Sequence, residues 1–254
     1  MVCCLTDKKC KDAGKRIEEI DFLRGIAILM MAVFHFTWDL DYFGLTSADL
    51  LHGFWKIFQV LTGGLFIFLV GVSLTLKYSK PGHGGYPKEF LKRGLFIFGC
   101  GMIITIGSLL FAKDYFVFFG ILHFIGLSII LATPFIGSGC LNLLIGVVSI
   151  LFGIWLQGQI FSFPWLVWLG FNHPVSTLDL YPLFPWVGLV FLGMFLGSMV
   201  YPHGKRIATI KTRFCPLIKR ISQPVRLLGR YSLLIYFIHI PIVFLIAYVI
   251  SLLA

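Results

Sequence analysis

Five stretches of this chain contain no Asp, Glu, Lys or Arg: Ile57 to Leu76, Gly94 to Ala112, Tyr115 to Leu178, Leu180 to Gly204 and Tyr231 to Ala254. A hydrocarbon layer of ~30 Å is crossed by ~20 apolar residues in helical form, and each run is about that long or longer. Of the 254 residues, 58% are hydrophobic and only 13% charged, against ~45–50% and ~25% in a soluble domain. So few charges cannot cover a soluble surface. The pattern excludes a soluble enzyme, a disordered chain and a DNA-binding domain. It also argues against a β-barrel, whose strands alternate polar and apolar residues. The expected fold is all-α, a polytopic membrane helical bundle.

Seven spans are read at about 20–43, 55–77, 92–112, 115–136, 140–157, 182–201 and 228–252. They form a single transmembrane domain over 20–254, after an N-terminal segment at 1–19. That segment is polar and lacks an apolar signal core, so the first span is expected to act as an uncleaved anchor. The apolar piece Phe161 to Leu169 is short and is flanked or interrupted by Pro164, Asn172, His173 and Pro174. It reads as an interfacial or re-entrant piece rather than a span.

With seven spans the termini lie on opposite sides. Lys8, Lys9, Lys11, Lys15 and Arg16 precede span one; Lys77, Lys80, Lys88, Lys92 and Arg93 follow span two; Lys205, Arg206, Lys211, Arg213, Lys219, Arg220, Arg226 and Arg230 follow span six. These 18 of the 21 basic residues fall on the N-terminal side, leaving only Lys56 and Lys113 opposite and Arg24 inside span one. The bias places the N-terminus in the cytoplasm and the C-terminus outside, in the cytoplasmic (plasma) membrane. It also accounts for the net charge of +10 without nucleic acid as a partner. Cys3, Cys4, Cys10, Cys140 and Cys215 come out cytoplasmic and Cys100 intramembrane, so no disulfide framework is expected. Cys3 and Cys4 are either plain thiols or acylation sites. Gly193 and Gly197 form a GxxxG pair, a close-packing surface for another helix of this chain or of a second copy in a homo-oligomer.

Span one carries Asp21, Arg24, His35, Asp39 and Asp41. At about 100° per residue Arg24 and His35 lie within about 20° of each other, with Asp21 and Asp39 together about 60° from Arg24 on the side of His35. Charges at bilayer depth cost about 2.5–3.5 kcal/mol each on the insertion scale. This stripe must therefore face the bundle interior or a wet cavity. Asp21 and Arg24 sit at the inner mouth, either as a mutual i,i+3 pair or as a functional site. His35 lies about 16 Å farther along, and Asp39, one turn beyond it, is placed to accept from its ring. His35 is either a bridging histidine or a general base. His123 enters span four at a similar depth, and His239 lies mid-way along span seven on one face with Ser232 and Tyr236. Asp49, His52, His173 and Asp179 are the polar residues of the outer region. No HExxH, CxxC, phosphate-loop, GxGxxG or GxSxG motif is present, so no metal or nucleotide-loop chemistry is expected.

Arg16 to His35 (RIEEIDFLRGIAILMMAVFH) resembles the opening helix of the heparan-α-glucosaminide N-acetyltransferase catalytic-domain family, especially its small prokaryotic members. Gly64 to Ser73 (GLFIFLVGVS), Phe119 to Gly126 (FGILHFIG), Asp179 to Gly188 (DLYPLFPWVG) and Leu228 to Pro241 (LGRYSLLIYFIHIP) continue the resemblance in family order. The first helix is also similar to that of the acyltransferase-3 family, where an inner Arg precedes a functional His. The resemblance implies a membrane acetyltransferase. Such a protein takes an acyl group from acyl-CoA, typically acetyl-CoA, on the cytoplasmic side and delivers it to an acceptor on the other. That acceptor would be a glycan or another small amine or alcohol. Arg24, Lys92, Arg93 and Arg230 would hold CoA phosphates. His35 would deprotonate the acceptor or carry the acyl group, oriented by Asp39, with His123 a second catalytic group. The family's functional histidine corresponds to His35 or to His52. Asp21, Asp179, Tyr236 and His239 are further candidates. The rival reading from the residues alone is a proton-coupled transporter or exporter, because intramembrane Asp and His chains also relay protons.

Overall fold

The computed structural model describes residues 17–79, 87–111, 116–160, 163–172, 177, 179–202 and 216–254. The N-terminal cysteines, most of the basic blocks, Cys215, His173 and the turn Pro81 to Gly85 lie outside these residues. Among the described residues the chain is helical, with no named strand. The helices are α1 (Glu18–Tyr42), α2 (Gly53–Tyr78), α3 (Pro87–Phe111), α4 (Ile121–Ala132), α5 (Cys140–Gln157), α6 (Leu183–Val200), α7 (Pro216–Arg230) and α8 (Ser232–Leu253). Six of them are long and apolar enough to cross a membrane: α1, α2, α3, α5, α6 and α8. The chain is a multi-pass membrane protein.

Local chemistry explains where the helices begin and end. α1 opens on Glu18, Glu19 and Asp21, negative charges where the helix dipole favours them. It closes in a six-to-one, five-to-two pattern: Leu45 N–H donates to Leu40 O at 2.9 Å and Gly44 N–H to Asp41 O at 2.9 Å. Gly44 stands at φ 71°, a conformation glycine adopts without strain. α3 opens on Pro87, whose missing N–H has no partner to lose at that position. Its Glu89 binds Lys77, at the end of α2, at 3.0 Å.

The fourth predicted span is shorter than read from the sequence. Helix begins at Ile121 rather than near 115, because Phe116 to Phe119 pairs with a distant strip instead. The Thr177 hydroxyl donates to Phe116 O at 2.8 Å and accepts from Phe118 N–H at 3.2 Å, and Tyr181 N–H donates to Phe119 O at 2.9 Å. After α4 a 3-10 turn at Thr133–Phe135 ends the segment. The last predicted span also differs. Helix is already present from Pro216, and the break falls at Tyr231, across which helical bonds continue from Tyr231 N–H to Leu227 O and from Ile235 N–H to Tyr231 O. The described part of the apolar piece before α6 is a six-residue 3-10 helix, Pro164–Leu169, too short to cross a bilayer.

The chain divides into two compact units, with the division inside α2 between Phe66 and Ile67. One unit holds α1, the first part of α2, α7 and α8. The other holds the rest of α2 and α3 to α6.

In the second unit the GxxxG pair is spent within the chain. A Cβ on Gly193 would lie 2.2 Å from Phe68 O, and one on Gly197 3.2 Å from Val72 Cα. Gly71 returns the fit, 2.0 Å from Val190 O, and the Thr75 hydroxyl donates to Met194 O at 3.1 Å. These glycines seat α6 against α2. Of the two contacts that the sequence left open for Gly193 and Gly197, the structure shows the internal one, against α2.

Candidate functional site

In the first unit α7 and α8 run along α1 in the same direction. Gly229 meets Asp21 and Gly25, His239 meets His35, and Phe244 and Tyr248 meet Phe43. The approach is closest at the glycines. A Cβ on Gly25 would fall 1.9 Å from Val225 O, and one on Gly229 1.8 Å from Asp21 O. With no side chains between them the backbones touch, and the polar stripe of α1 is drawn onto α8.

At the Glu18 end of this seam the Arg24 guanidinium lies 3.5 Å from the Asp21 carboxylate, the i,i+3 pair. Arg226 of α7 pairs with Glu18. Arg230 is exposed, its guanidinium 5.9 Å from the Tyr231 ring centroid. About 16 Å along from Arg24, the His35 ring meets His239 edge to ring, centroids 5.1 Å apart at 61°. Phe34 packs on His35 at 5.9 Å. Nδ1 of His239 lies 2.7 Å from Tyr236 O, and the Tyr236 ring is 5.7 Å from the His239 ring. Asp39 makes no hydrogen bond to His35; its Oδ2 is buried without a partner. The stripe thus contains the predicted groups, but the neighbour of His35 is His239 rather than Asp39.

The loop between α1 and α2 holds a second arrangement. Asp49 Oδ1 lies 3.0 Å from Nδ1 of His52 and accepts His52 N–H at 3.2 Å. Both side chains are exposed, and the bond from the ring lowers the Asp49 carboxyl below its ordinary range.

The remaining predicted residues belong to the other unit. Lys92 and Arg93 are exposed on α3. His123 is 2% exposed, enclosed by Phe98 at 5.3 Å and Phe119 at 5.7 Å. Its Nε2 lies 3.3 Å from the Thr105 hydroxyl, which donates to Val117 O at 2.7 Å. That hydroxyl has one hydrogen, so it accepts from His123 Nε2–H. His123 Nδ1 is buried without a partner. It faces Gly101, where a Cβ would stand 2.9 Å away. This geometry ties α3 to α4. Gly101→Ala is expected to lower stability by about 1–3 kcal/mol, read as a drop in melting temperature in detergent. An unchanged melt would show that the ring has room to move.

Asp179 serves α4 from across the chain. Its Oδ2 accepts Ile121 N–H at 2.9 Å, capping a helix start whose own N-cap, Gly120, has no side chain. Burial raises the Asp179 carboxyl from 3.8 to about 6, and burial together with that neighbour raises the Tyr181 hydroxyl well above its ordinary range. Between these two Asp179 values the folded chain holds a proton that the unfolded chain has released, so stability falls as pH rises from about 4 to about 6. The change is roughly 3 kcal/mol. Asp179→Asn keeps a carbonyl for Ile121 and has no charge to bury. Its melting temperature is expected to be flat across that window, and a retained slope would assign the effect elsewhere.

Beside this strip is an open cavity of about 400 Å³, lined among others by Gln157, Phe171, Asn172, Leu180 and Pro182. Among the described residues no three His, Cys, Asp or Glu side chains gather as a metal site.

The seam, the family stretches and the helical bundle meet in one comparison: the family model described as heparan-alpha-glucosaminide N-acetyltransferase, catalytic, matches residues 16–241. The chain belongs to this family. The match takes in the whole seam from Glu18 to His239, together with α2 to α6. No curated protein and no solved structure matches the chain. Membership of the heparan-alpha-glucosaminide N-acetyltransferase catalytic family makes the chain a membrane protein of an acetyltransferase family. Sequence reasoning had both histidines of the seam but missed their pairing. The available signal was glycine at Gly25 and Gly229, each ten residues before a histidine of the seam.

Proposed function

We propose that this protein is a CoA-dependent transmembrane acetyltransferase. It takes acetyl from acetyl-CoA at the Glu18 end of α1, the cytoplasmic side by the charge bias, and passes it to an amine or hydroxyl acceptor entering from the other side. The observation that carries this reading is the polar seam between α1 and α8, an ion pair at one end and an imidazole deep in an apolar helix, within a chain of this family.

In this reading Arg24 and Arg230 neutralise CoA phosphates, as guanidinium groups do. His35 is the general base. The acceptor nitrogen or oxygen attacks the acetyl carbonyl carbon while its proton passes to His35. The C–S bond then breaks, and the CoA thiolate takes that proton back from His35, leaving the imidazole neutral. Asp39, about 6 Å beyond His35 along α1, has a buried Oδ2 lacking a donor and is assigned to the acceptor's N–H or O–H. Lys92, Arg93 and His123 belong to the other unit and are left out of this assignment. One observation favours a second base: the Asp49–His52 pair has the carboxylate-to-Nδ1 geometry that leaves Nε2 free to take a proton.

Purified protein in nanodiscs, given labelled acetyl-CoA and a panel of amino sugars, simple amines and alcohols, is expected to release CoA and label one acceptor class. Absence of CoA binding, together with pH-dependent solute flux in proteoliposomes, would favour the transporter instead.

A further inference from the structure

We infer that His239 is the hydrogen-bond acceptor for His35, a positioning residue that sets which nitrogen of His35 acts as base; this rests on the reading of His35 as the base. The Nδ1 of His239 lies 2.7 Å from Tyr236 O. A carbonyl only accepts, so Nδ1 carries the hydrogen and Nε2 is bare. That Nε2 is buried without a partner, on a ring only 5% exposed. A bare imidazole nitrogen needs a donor. The polar ring beside the His239 ring is His35, at 5.1 Å between centroids. Asp39 on α1 and Tyr236 on α8 are the other titratable groups of this stretch, and α2 presents Trp55 there, against Phe34 at 6.4 Å.

The consequence is a choice of tautomer. A neutral imidazole has one N–H and one bare nitrogen. Turning the N–H of His35 toward Nε2 of His239 leaves the other nitrogen of His35 bare for the acceptor. When that nitrogen takes the acceptor's proton, the positive ring still has its other N–H to donate to Nε2 of His239. When the thiolate takes the proton back, His35 returns to the same tautomer. His239 neither gains nor loses a proton over the cycle. It does for His35 what an acceptor on the second nitrogen does for any catalytic imidazole, without placing another charge in the bilayer.

Packing alone would need the shape of the His239 ring and not its nitrogen, and two measurements separate these roles. In ¹⁵N-histidine-labelled protein in nanodiscs, with His239→Gln used for assignment, His239 is expected as the Nδ1–H tautomer. Its Nε2 resonance is expected to move when His35→Phe removes the donor but keeps a ring. In turnover, His239→Gln places an oxygen acceptor near the Nε2 position and is expected to keep kcat within ~10-fold. His239→Leu is expected to lose ~10²-fold in kcat with KM for acetyl-CoA unchanged. An Nε2 resonance indifferent to His35→Phe, or a His239→Leu variant with wild-type kcat, overturns the pairing. If the wild-type protein turns over no thioester, the acetyltransferase reading fails, while the resonance comparison on the resting protein still decides the pairing.

Discussion

Replacing His35 by alanine is expected to reduce acetyl transfer by ~10²–10⁴-fold, the contribution of a positioned general base. That is a barrier increase of about 3–5.5 kcal/mol. The loss should fall on kcat, with KM for acetyl-CoA little changed, because the ring is about 16 Å along α1 from the Asp21–Arg24 pair assigned to the donor's end. The melting temperature of His35→Ala in detergent serves as the control for folding. His52→Ala is the companion measurement. If His35→Ala retains turnover and His52→Ala abolishes it, the base is the exposed Asp49–His52 pair and the reaction takes place at the end of the helices.

Gly229→Leu is expected to have the largest effect on folding. Even a methyl group at this position stands 1.8 Å from Asp21 O and 2.8 Å from Gly25 N. Both are backbone atoms, so no rotamer change relieves the clash. α1 and α7 must separate, and with them the register that brings His35 to His239. Overpacking typically costs about 1–3 kcal/mol where side chains can yield, and this site is expected to exceed that, with loss of the cooperative melt and of turnover together. Gly99 provides the contrast. It lies within α3 with nothing within 4 Å of its ideal Cβ, and Gly99→Ala is expected to be neutral or to stabilise by about 0.5–1 kcal/mol through helix propensity. Similar melts for the two variants would mean that the close approach of α1 and α7 is not the state in the bilayer.

These two glycines also show where sequence reading stops. Gly99 lies in an apolar helical pattern and Gly229 in an amphipathic one between Arg226 and Arg230, and neither pattern tells that Gly99 is beside open space and Gly229 against a backbone. His123 and His239 pose the same difficulty. Both are histidines in apolar helices with one buried, unpartnered ring nitrogen, yet one is enclosed by two phenylalanines, bonded to Thr105 and turned toward Gly101, while the other lies beside a second imidazole. The short α4 was hidden for another reason. Phe116 to Phe119 is as apolar as the helix after it, and side chains from both directions in the chain bind its backbone: Thr105 and Ser108 bond Val117, and Thr177, about sixty residues later, bonds Phe116 and Phe118.

Membrane helices, their approximate limits and the stripe that joins Asp21, Arg24, His35 and Asp39 were determined by the sequence alone. Charge-free length and a 3.6-residue period are properties of contiguous residues, and backbone groups in lipid have few ways to be satisfied other than helix. Which face meets which was decided only in the tertiary structure. Helix contact in an apolar solvent depends on how closely two backbones approach, and that is a joint property of Gly25 and Gly229, some two hundred positions apart in the chain. The pairing of His35 with His239 follows from that approach and from nothing nearer in sequence.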